Sequence, residues 1–310
     1  MKKFAIIYDS SSDLDKDLRE KYGLEDYIHG MFYYPDGRES RCDLDWGEMT
    51  PEEFYTSMKG KKVLYKTGSP TYGETYDTFE KYLSQGIDVL SISMSSALSV
   101  TYQNCVNAAN DINQKYTNNK VICVDSLRYS KAFGLLVILA AIKRDEGATI
   151  EETTEYLNQI KYNVHQMGPM DDLFFLVKTG RISGAKAFFG TLLGVNPMAD
   201  FNRKGMSEVL TKVKGKKTAF DVTLKYMEKT IINPEEQIIF VTHSNREEHA
   251  KLLASMIKEK FNPKEIIIST VGMGCGASIG PGLCVAFYLG TPISENFENE
   301  KAIISEITGK

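Results

Sequence analysis

The chain has 310 residues, of which 42% are hydrophobic and 25% are charged, and its formal net charge is -4. This composition is ordinary for a globular protein, and the length is sufficient for two domains. An acidic chain without a basic footprint is not expected to bind nucleic acid or to hold a membrane by electrostatic attraction.

The amino terminus predicts a strand and not a signal peptide. In MKKFAIIYDSSSDL, acidic and serine residues follow the short apolar run at once, and there is no small-residue cleavage site. The cysteines are odd in number, scattered and free of CxxC spacing, so neither a disulfide framework nor a zinc site is indicated. We therefore expect a cytoplasmic protein. The cysteines are Cys42, Cys105, Cys123, Cys275 and Cys284.

The first half of the chain repeats one pattern, in which an apolar run is followed by a polar cluster and a helical stretch. The apolar runs are FAIIYD, VLYK, IDVLSIS and VICVD. Continuous apolar strands that are each followed by a helix indicate a parallel sheet covered on both faces. Residues 24–48 lack helical periodicity and contain the turn sequence PDG, so they predict a small β excursion from that sheet.

Helix signals follow these runs. The sequence TPEEF at Thr50 predicts a capped helix start, and Ser69 repeats the order of cap and proline. Apolar residues recur at helical spacing after Thr101. The apolar run 132–142 is shorter than the ~18 residues of a membrane span and predicts a buried helix.

The second half of the chain predicts a different sheet. A helix is expected over Ile150–Gln166, and the runs DDLFFLV, QIIFVTH and EIIISTVG after it indicate strands, with a hairpin at Asn202–Gly205. We therefore predict an α/β fold of two domains. The first is a parallel-sheet α/β/α domain over 1–164, with the β excursion at 24–48, and the second is a mixed-sheet α/β domain over 165–310.

Hydroxyl side chains gather where the predicted parallel strands end. Ligands of open parallel sheets bind beyond the carboxyl ends of the strands, where helix N-termini and free N–H groups favour an anion. Thr67, Ser95 and Ser96 follow such runs, so they predict a site for a carboxylate or phosphate group. The alternative is that these residues only cap helices, which is a common role for serine at this position.

No complete catalytic or metal-binding set follows from the sequence, so we do not predict an enzyme. Gly276–Gly280 matches the GxSxG elbow of serine hydrolases, but the acid and histidine partners should follow the serine, and all four histidines precede Ser278. His243 and His249 lack the spacing of a zinc-binding helix. His243 is expected to be a hydrogen-bonded structural residue, and Arg181 either meets an anion or pairs with an acid.

Taken together, the motifs resemble those of the DegV family of bacterial fatty-acid-binding proteins. They are YDSSSDL, KTGSPT, ISMSSALSVTYQ, VDSLRYSKAFG, LVKTGRISG and the GPG at Gly280–Gly282, and they span nearly the whole chain. The resemblance implies a long-chain fatty acid in a tunnel between two α/β domains, with no other cofactor and no metal. It also implies a fatty acid kinase as partner, because some members present the fatty acid to such a kinase for phospholipid synthesis.

The resemblance assigns roles to particular residues. It implies that Thr67 and Ser95 or Ser96 bind the carboxylate of the fatty acid. Arg181 resembles a family arginine that is implicated in the encounter with the kinase. The ligand that the resemblance implies for the hydroxyls of KTGSPT and ISMSSALSVTYQ is therefore a carboxylate.

The sequence departs from the family pattern at several of these places. Ser278 stands where many members have a histidine near the carboxylate, and it can donate a hydrogen bond but carries no titratable charge. Lys214 corresponds to a second family arginine, Val100 replaces a glycine and Asn196 replaces a lysine. Because arginine and lysine are not interchangeable at a bidentate site, lipid binding fits this sequence better than kinase partnership.

Other functions stay open at this point. The fold also resembles the substrate subunit of dihydroxyacetone kinases, so the same sheet edge would suit an enzyme or substrate-binding subunit for a small hydroxylated or phosphorylated compound. That subunit holds its substrate through a histidine, which the corresponding loop lacks. A protein-interaction module is a third interpretation. The aromatic residues Phe133, Phe188, Phe189 and Phe287 are expected in the core.

Overall fold

A computed structural model of the chain describes residues 4–24, 26–47, 49–184 and 194–309. The chain divides into two compact units. Unit 1 comprises Met1–Gly47, Leu64–Lys161 and Gly272–Cys275, and unit 2 comprises Glu48–Val63, Tyr162–Val271 and Gly276–Lys310. The two continuous domains expected from the sequence, 1–164 and 165–310, remain a prediction.

Helices and strands alternate through the first half of the chain and then give way to a region richer in strands. Up to residue 161 the elements are β1 (Phe4–Tyr8), α1 (Lys16–Tyr22), β2 (Gly30–Tyr33), β3 (Glu39–Cys42), α2 (Pro51–Met58), β4 (Lys66–Gly68), α3 (Tyr72–Leu83), β5 (Asp88–Ser93), α4 (Thr101–Lys115), β6 (Val121–Asp125), α5 (Ser130–Asp145) and α6 (Ile150–Ile160). After it they are β7 (Val164–Met167), α7 (Phe174–Thr179), β8 (Ile182–Ser183), β9 (Val195–Phe201), β10 (Ser207–Lys214), α8 (Lys216–Thr230), β11 (Ile238–His243), α9 (Glu247–Phe261), β12 (Glu265–Thr270), α10 (Met273–Ile279), β13 (Cys284–Leu289) and α11 (Glu298–Thr308).

The central sheet of unit 1 is parallel, as its continuous apolar runs predict. The strand order is β1-β5-β6. Leu90 on β5 lies opposite Ile6 on one side and Ile122 on the other, and both pairings are parallel. All three strands therefore end at the same edge of the sheet.

The run VLYK does not add a fourth parallel strand, so that prediction is wrong. Its last residue begins β4, which pairs antiparallel with β2 and places Thr67 opposite Phe32. β3 pairs with the other side of β2, which completes a small antiparallel sheet and confirms the β excursion. Lys66 and Thr67 are exposed, whereas an interior parallel strand would be covered on both faces.

Helices cover the parallel sheet and fill the core of unit 1. Phe79 of α3 and Ile112 of α4 are fully buried in one cluster with Ile7 and Val89 of the sheet. The apolar run 132–142 lies within α5, which is buried along most of its length and packs against β1 and α6. The prediction of a buried helix there is confirmed, and Phe133 is a core residue.

Unit 2 contains the mixed sheet that the second half of the sequence predicts. Its order is β12-β11-β13-β7, with β12 parallel to β11 and β13 antiparallel to both β11 and β7. A second sheet has the order β8-β10-β9. The hairpin between β9 and β10 turns at Asn202–Gly205 as predicted, and the amide of Gly205 donates to the Asn202 carbonyl at 3.0 Å. Phe287 on β13 is buried, and Phe188 and Phe189 lie outside the described residues.

Three predicted elements differ in the structure. The helix expected over Ile150–Gln166 ends at Ile160, because the chain passes through a short turn into β7, which pairs with β13. DDLFFLV contains helix α7 and not a strand, since the side chain of Asp172 accepts the amide of Phe174 at the start of the helix. The cap of α3 is Thr71 and not Ser69, because Thr71 accepts the amide of Glu74.

Candidate functional site

The three parallel strands of unit 1 end in loops that hold one another in place. The central loop, which we call the serine loop, comprises residues 94–99 after β5. Asp9 at the end of β1 accepts the amide of Met94 at 2.8 Å, and Asp125 at the end of β6 accepts the amide of Ser96 at 3.2 Å. The position of the serine loop is therefore fixed from both neighbouring strands.

Ser95 is the buried hydroxyl of this loop. The side chain is fully buried, and the backbone amide of Ser95 donates to the carbonyl of Arg128 at 2.9 Å. Its Oγ accepts the amide of Ala97 at 3.3 Å, which is the local turn expected of a capping serine. Among the residues that the structure describes, nothing accepts the Ser95 hydroxyl proton. A buried O–H donor without an acceptor favours a ligand that brings one.

Thr67 and Ser96 present hydroxyls at the surface of the same unit. Both side chains are exposed, and neither hydroxyl has a hydrogen-bond partner within residues 4–24, 26–47, 49–184 and 194–309. Neither therefore acts as a helix cap. The capping interpretation explains Ser95 in part but does not explain Thr67 or Ser96.

The loop after β4, which we call the Thr67 loop because β4 carries Thr67, is hydrogen-bonded to the helix that follows the serine loop. Asn104, in the first turn of α4, donates its side-chain amide to Ser69 Oγ and to the Pro70 carbonyl, in both cases at 3.3 Å. Within unit 1, the loop after β4, the strand that carries Thr67, is thus linked to the helix after the serine loop, which carries Ser95 and Ser96. The serine loop and the Thr67 loop meet at the N-terminus of α4.

The N-terminus of α4 offers backbone donors to an anion. The residue before the helix, Val100, has no side chain that can cap it, and it is 63% exposed. Ser99 Oγ accepts the amide of Thr101 at 3.3 Å and shares a hydrogen bond with Thr101 Oγ1 at 2.8 Å. The first N–H groups of a helix and the positive end of its dipole stabilise negative charge, so a carboxylate is a suitable ligand here.

Two acidic residues of the loop after β1, Asp9 and Asp13, are buried, and burial raises the pKa of both. Burial raises the pKa of Asp9, although the amides of Ser11 and Met94 both donate to its carboxylate. Burial also raises the pKa of Asp13 to about 6, against the opposing effects of the Ser130 hydroxyl and the Lys131 charge. Ser130 donates to Asp13 at 2.5 Å. Both oxygens of Asp9 accept protein amides, so Asp9 holds the loops in place. For Asp13, the Ser130 hydroxyl occupies Oδ2.

Ser278 lies in α10, within the part of that helix that belongs to unit 2. Its side chain is half-buried, and no hydrogen bond of its hydroxyl occurs in the described part of the chain. A nucleophile elbow requires its serine at a sharp turn between a strand and a helix. Ser278 instead lies inside a helix, which confirms that GASIG is not such an elbow.

Arg181 and Lys214 are not brought together. Arg181 directly precedes β8, which pairs with β10 at Ser207, and Lys214 is the last residue of β10. Seven strand residues separate these ends, which is on the order of 20 Å. Both side chains are exposed, and Arg181 donates to the Thr179 carbonyl. Arg181 follows α7 and precedes β8.

Two further residues have structural roles. His243 is buried at the end of β11, its Nδ1 accepts the amide of Arg246 at 3.3 Å, and burial lowers its pKa. The prediction of a hydrogen-bonded structural histidine is confirmed. Asn196, at the family's lysine position, is buried and donates to the Val213 carbonyl at 3.2 Å. It therefore fixes the β9–β10 hairpin.

The sequence reasoning missed Arg128. This arginine lies in the loop between β6 and α5, is fully buried and contacts Ser95 through its backbone. The motif DSLR directly after a predicted strand was a usable signal, because neighbouring parallel strands end at one edge. A buried cation beside the serine loop was not expected from hydroxyl clusters alone.

Neither a metal centre nor a membrane segment is found in the part of the chain that the structure describes. No group of histidine, cysteine, aspartate and glutamate side chains there is arranged to hold a metal ion. In this same part of the chain, no helix is both long enough and apolar enough to cross a bilayer. All five cysteines are free thiols.

Comparison with known proteins agrees with this architecture. The family model described as "Uncharacterised protein, DegV family" matches residues 3–290. The chain belongs to the DegV family. A DegV domain-containing protein of Clostridium perfringens is 34% identical over 290 residues, which is 94% of this chain and 98% of the relative.

Solved DegV structures share the fold. A DegV lipid binding protein from Thermotoga maritima superposes with a TM-score of 0.77 at 27% identity, covering 93% of this chain and 98% of the other. A DegV family protein from Thermus thermophilus, described by its fatty acid binding, gives a TM-score of 0.82 at 25% identity, covering 93% and 99%. The α/β fold predicted from the sequence is confirmed.

Proposed function

We propose that this DegV protein is a carrier that binds a long-chain fatty acid and has no reaction of its own. The carboxylate accepts hydrogen bonds from the hydroxyls of Thr67, Ser95 and Ser96. The observation that carries the proposal is the fully buried Ser95, whose hydroxyl proton has no acceptor among the described residues. A carboxylate supplies that acceptor.

The chemistry of the loops supports a carboxylate. Hydroxyl donors and the unprotected N-terminus of α4 both favour an anion, and no metal cluster competes for it within the described residues. The fatty acid binding of the T. thermophilus relative and the lipid binding of the T. maritima relative support a lipid as the ligand. The resemblance to the family supports two further parts of the proposal. Ser278 is a fourth hydroxyl ligand of the carboxylate, and the acyl chain lies in a tunnel between the domains.

Presentation of the bound fatty acid to a cytoplasmic fatty acid kinase is the further part of the proposal. Arg181 and Lys214 are both exposed, so each is able to meet a partner protein. Their separation along β10 means that they would contact different parts of that partner. Lys214 offers a point charge instead of the planar fork of an arginine.

The test is fatty acid retention by a Thr67→Ala and Ser95→Ala double variant. Each hydrogen bond to a charged group contributes on the order of 1.5–3 kcal/mol, so we expect loss of most of the bound lipid while the fold persists. The matched control is Ser84→Ala, whose hydroxyl donates to the Lys81 carbonyl beyond the end of α3. Full retention in the folded double variant would refute the assigned ligands.

The alternative is an enzyme or substrate-binding subunit for a small hydroxylated or phosphorylated compound. It would use the same exposed hydroxyls, but it would not need an acyl chain. A panel of sugar phosphates and short hydroxy compounds, tested by calorimetry beside palmitate and oleate, separates the two functions. Binding of a polar compound without any fatty acid binding would favour the alternative.

A further inference from the structure

Arg128 is held rigidly beside the serine loop. Its carbonyl accepts the amide of Ser95 at 2.9 Å and the hydroxyl of Ser126 at 3.1 Å, while its own amide donates to Ser126 Oγ at 3.1 Å. Leu127 before it has a left-handed backbone with φ of 53°. The backbone at Arg128 therefore has little freedom to move away from Ser95.

The guanidinium of Arg128 is a buried, permanent charge. The residue is fully buried, and Nη1 donates to the Leu127 carbonyl at 2.7 Å. An arginine stays protonated in proteins, so it cannot relieve this burial by losing its charge. The backbone of Leu127 connects the guanidinium to the rest of the edge, because its amide donates to Asp125 Oδ1 at 3.0 Å. That same oxygen accepts the amide of Ser96.

A second cation lies at the same place. Lys161 Nζ donates to the Asp125 carbonyl at 3.2 Å and to Asn158 Oδ1 at 2.9 Å. Burial and the repulsion of Arg128 lower the pKa of Lys161, whereas Asp125 opposes that change. The charge of Arg128 thus affects the ionisation of Lys161 at the same end of the parallel sheet. Arg128 and Lys161 give it two cations, and Asp125 gives it one carboxylate.

Asp9 is a further acid at the ends of these strands, and its carboxylate is occupied by the amides of Ser11 and Met94. We infer that Arg128 acts on the ligand through its charge. The positive charge of its buried guanidinium makes the serine loop bind an ionised carboxylate in preference to an uncharged lipid head group. The inference rests on the proposed function and adds a basis for selectivity. Hydroxyls alone would accept an alcohol or a carboxylate with less discrimination.

The test compares a fatty acid with the fatty alcohol of the same chain length. Palmitate and hexadecanol bring the same acyl surface, so the ratio of their dissociation constants reports on the head group. The wild type should prefer palmitate. Arg128→Gln should lower that preference by about tenfold to a hundredfold, which corresponds to about 1.4–2.8 kcal/mol of charge interaction. Arg128→Lys keeps the charge and should preserve most of the preference.

Arg144→Gln is the matched control. Arg144 is a buried arginine at the other end of α5, where it donates to the Tyr22 carbonyl at 2.9 Å and to Asp145 at 2.9 Å. Its loss should lower stability without changing the ratio. An unchanged ratio in folded Arg128→Gln would overturn the inference alone. Equal affinity of the wild type for both lipids would overturn it without any variant, and a wild type that binds neither lipid would also overturn the proposed function.

Discussion

Asn104 donates its side-chain amide to Ser69 Oγ at 3.3 Å and so joins the loop of Thr67 to the first turn of α4. The same amide also donates to the Pro70 carbonyl. Asn104 needs no contact with the ligand to affect binding. Under the proposed function, it sets the spacing between the hydroxyls that act together on one carboxylate.

Asn104→Leu should therefore weaken fatty acid binding while the chain stays folded. Loss of two hydrogen bonds costs about 1–2 kcal/mol, so we expect the dissociation constant to rise about fivefold to thirtyfold. Calorimetry with palmitate measures this change. Asn107→Leu, on an exposed position one turn further along α4, is the control and should bind normally. An equal effect of both substitutions would mean that α4 and not the loop contact is responsible.

Asp13 predicts a particular pH dependence of stability. Its pKa is about 6 in the folded protein and 3.8 as the ordinary value, because burial disfavours the ionised form. The folded state then binds more protons than the unfolded state between these values, so the contribution of Asp13 is greatest below pH 4 and is lost as the pH rises through 6. The loss is about 3 kcal/mol.

Asp13→Asn should remove this slope between pH 4 and pH 6. Urea unfolding at several pH values measures it, and the comparison with the wild type cancels the contributions of Asp9, whose pKa is raised, and Asp15, whose pKa is lowered. The variant also loses an acceptor for Ser130, so its absolute stability is not the readout. Parallel stability curves for the two proteins over this range would contradict the assignment.

His165 and Asp200 form a fully buried pair in unit 2. Nδ1 of His165 lies 2.5 Å from Asp200 Oδ2, and Nε2 lies 2.7 Å from the Thr291 carbonyl, to which it must donate. The other oxygen of Asp200 accepts the amides of Gln166 and Phe201. Asp200 is therefore the shared centre of a buried hydrogen-bond network.

Asp200→Asn should lower the free energy of unfolding by about 3–5 kcal/mol, because removing one partner of a fully buried, hydrogen-bonded pair is strongly destabilising. Tyr226→Phe is the graded comparison. It removes only the hydroxyl group that donates to Asp200 at 2.8 Å, so we expect the free energy of unfolding to fall by about 1.5–3 kcal/mol. Urea unfolding followed by circular dichroism measures both. A larger effect of Tyr226→Phe than of Asp200→Asn would contradict the dominant role assigned to the His165–Asp200 pair.

Val100 allows a test of charge at the N-terminus of α4. Its side chain is 63% exposed, so substitution should change stability by only about 0.5 kcal/mol. Val100→Asp places a negative charge next to the proposed carboxylate and should weaken palmitate binding by about threefold to tenfold, whereas Val100→Ser should not. Binding at low and high salt should show a smaller difference at high salt. Identical affinities of the two variants would place the carboxylate elsewhere.

Local patterns predicted the regular elements well. The continuous apolar runs identified β1, β5 and β6 as parallel strands, and the capping box at Thr50 and Glu53 forms as expected. These features depend on neighbours in the sequence, so a single chain reveals them. The errors came where local signals conflict: DDLFFLV is apolar enough for a strand, but helix α7 begins at Phe174, whose amide donates to the side chain of Asp172.

Tertiary partners were the part that the sequence could not supply. The hydroxyls of Thr67, Ser95 and Ser96 were identified from their position after apolar runs. Only the structure shows that, among the described residues, Thr67 and Ser96 hydroxyls have no hydrogen-bond partner and the Ser95 hydroxyl proton has no acceptor. Arg128 was overlooked because its importance depends on the pairing of β5 with β6. The separation of Arg181 from Lys214 follows from the register of β8 and β10, which no local pattern encodes.

Binding of a long-chain fatty acid by this chain is the property on which the proposals above depend. Its most direct test is native mass spectrometry of the protein purified from a bacterial host, followed by denaturing extraction of the bound material. We predict one adduct per chain, released as a long-chain fatty acid. A protein that is empty after purification, and still empty after incubation with a panel of fatty acids, would contradict the claim.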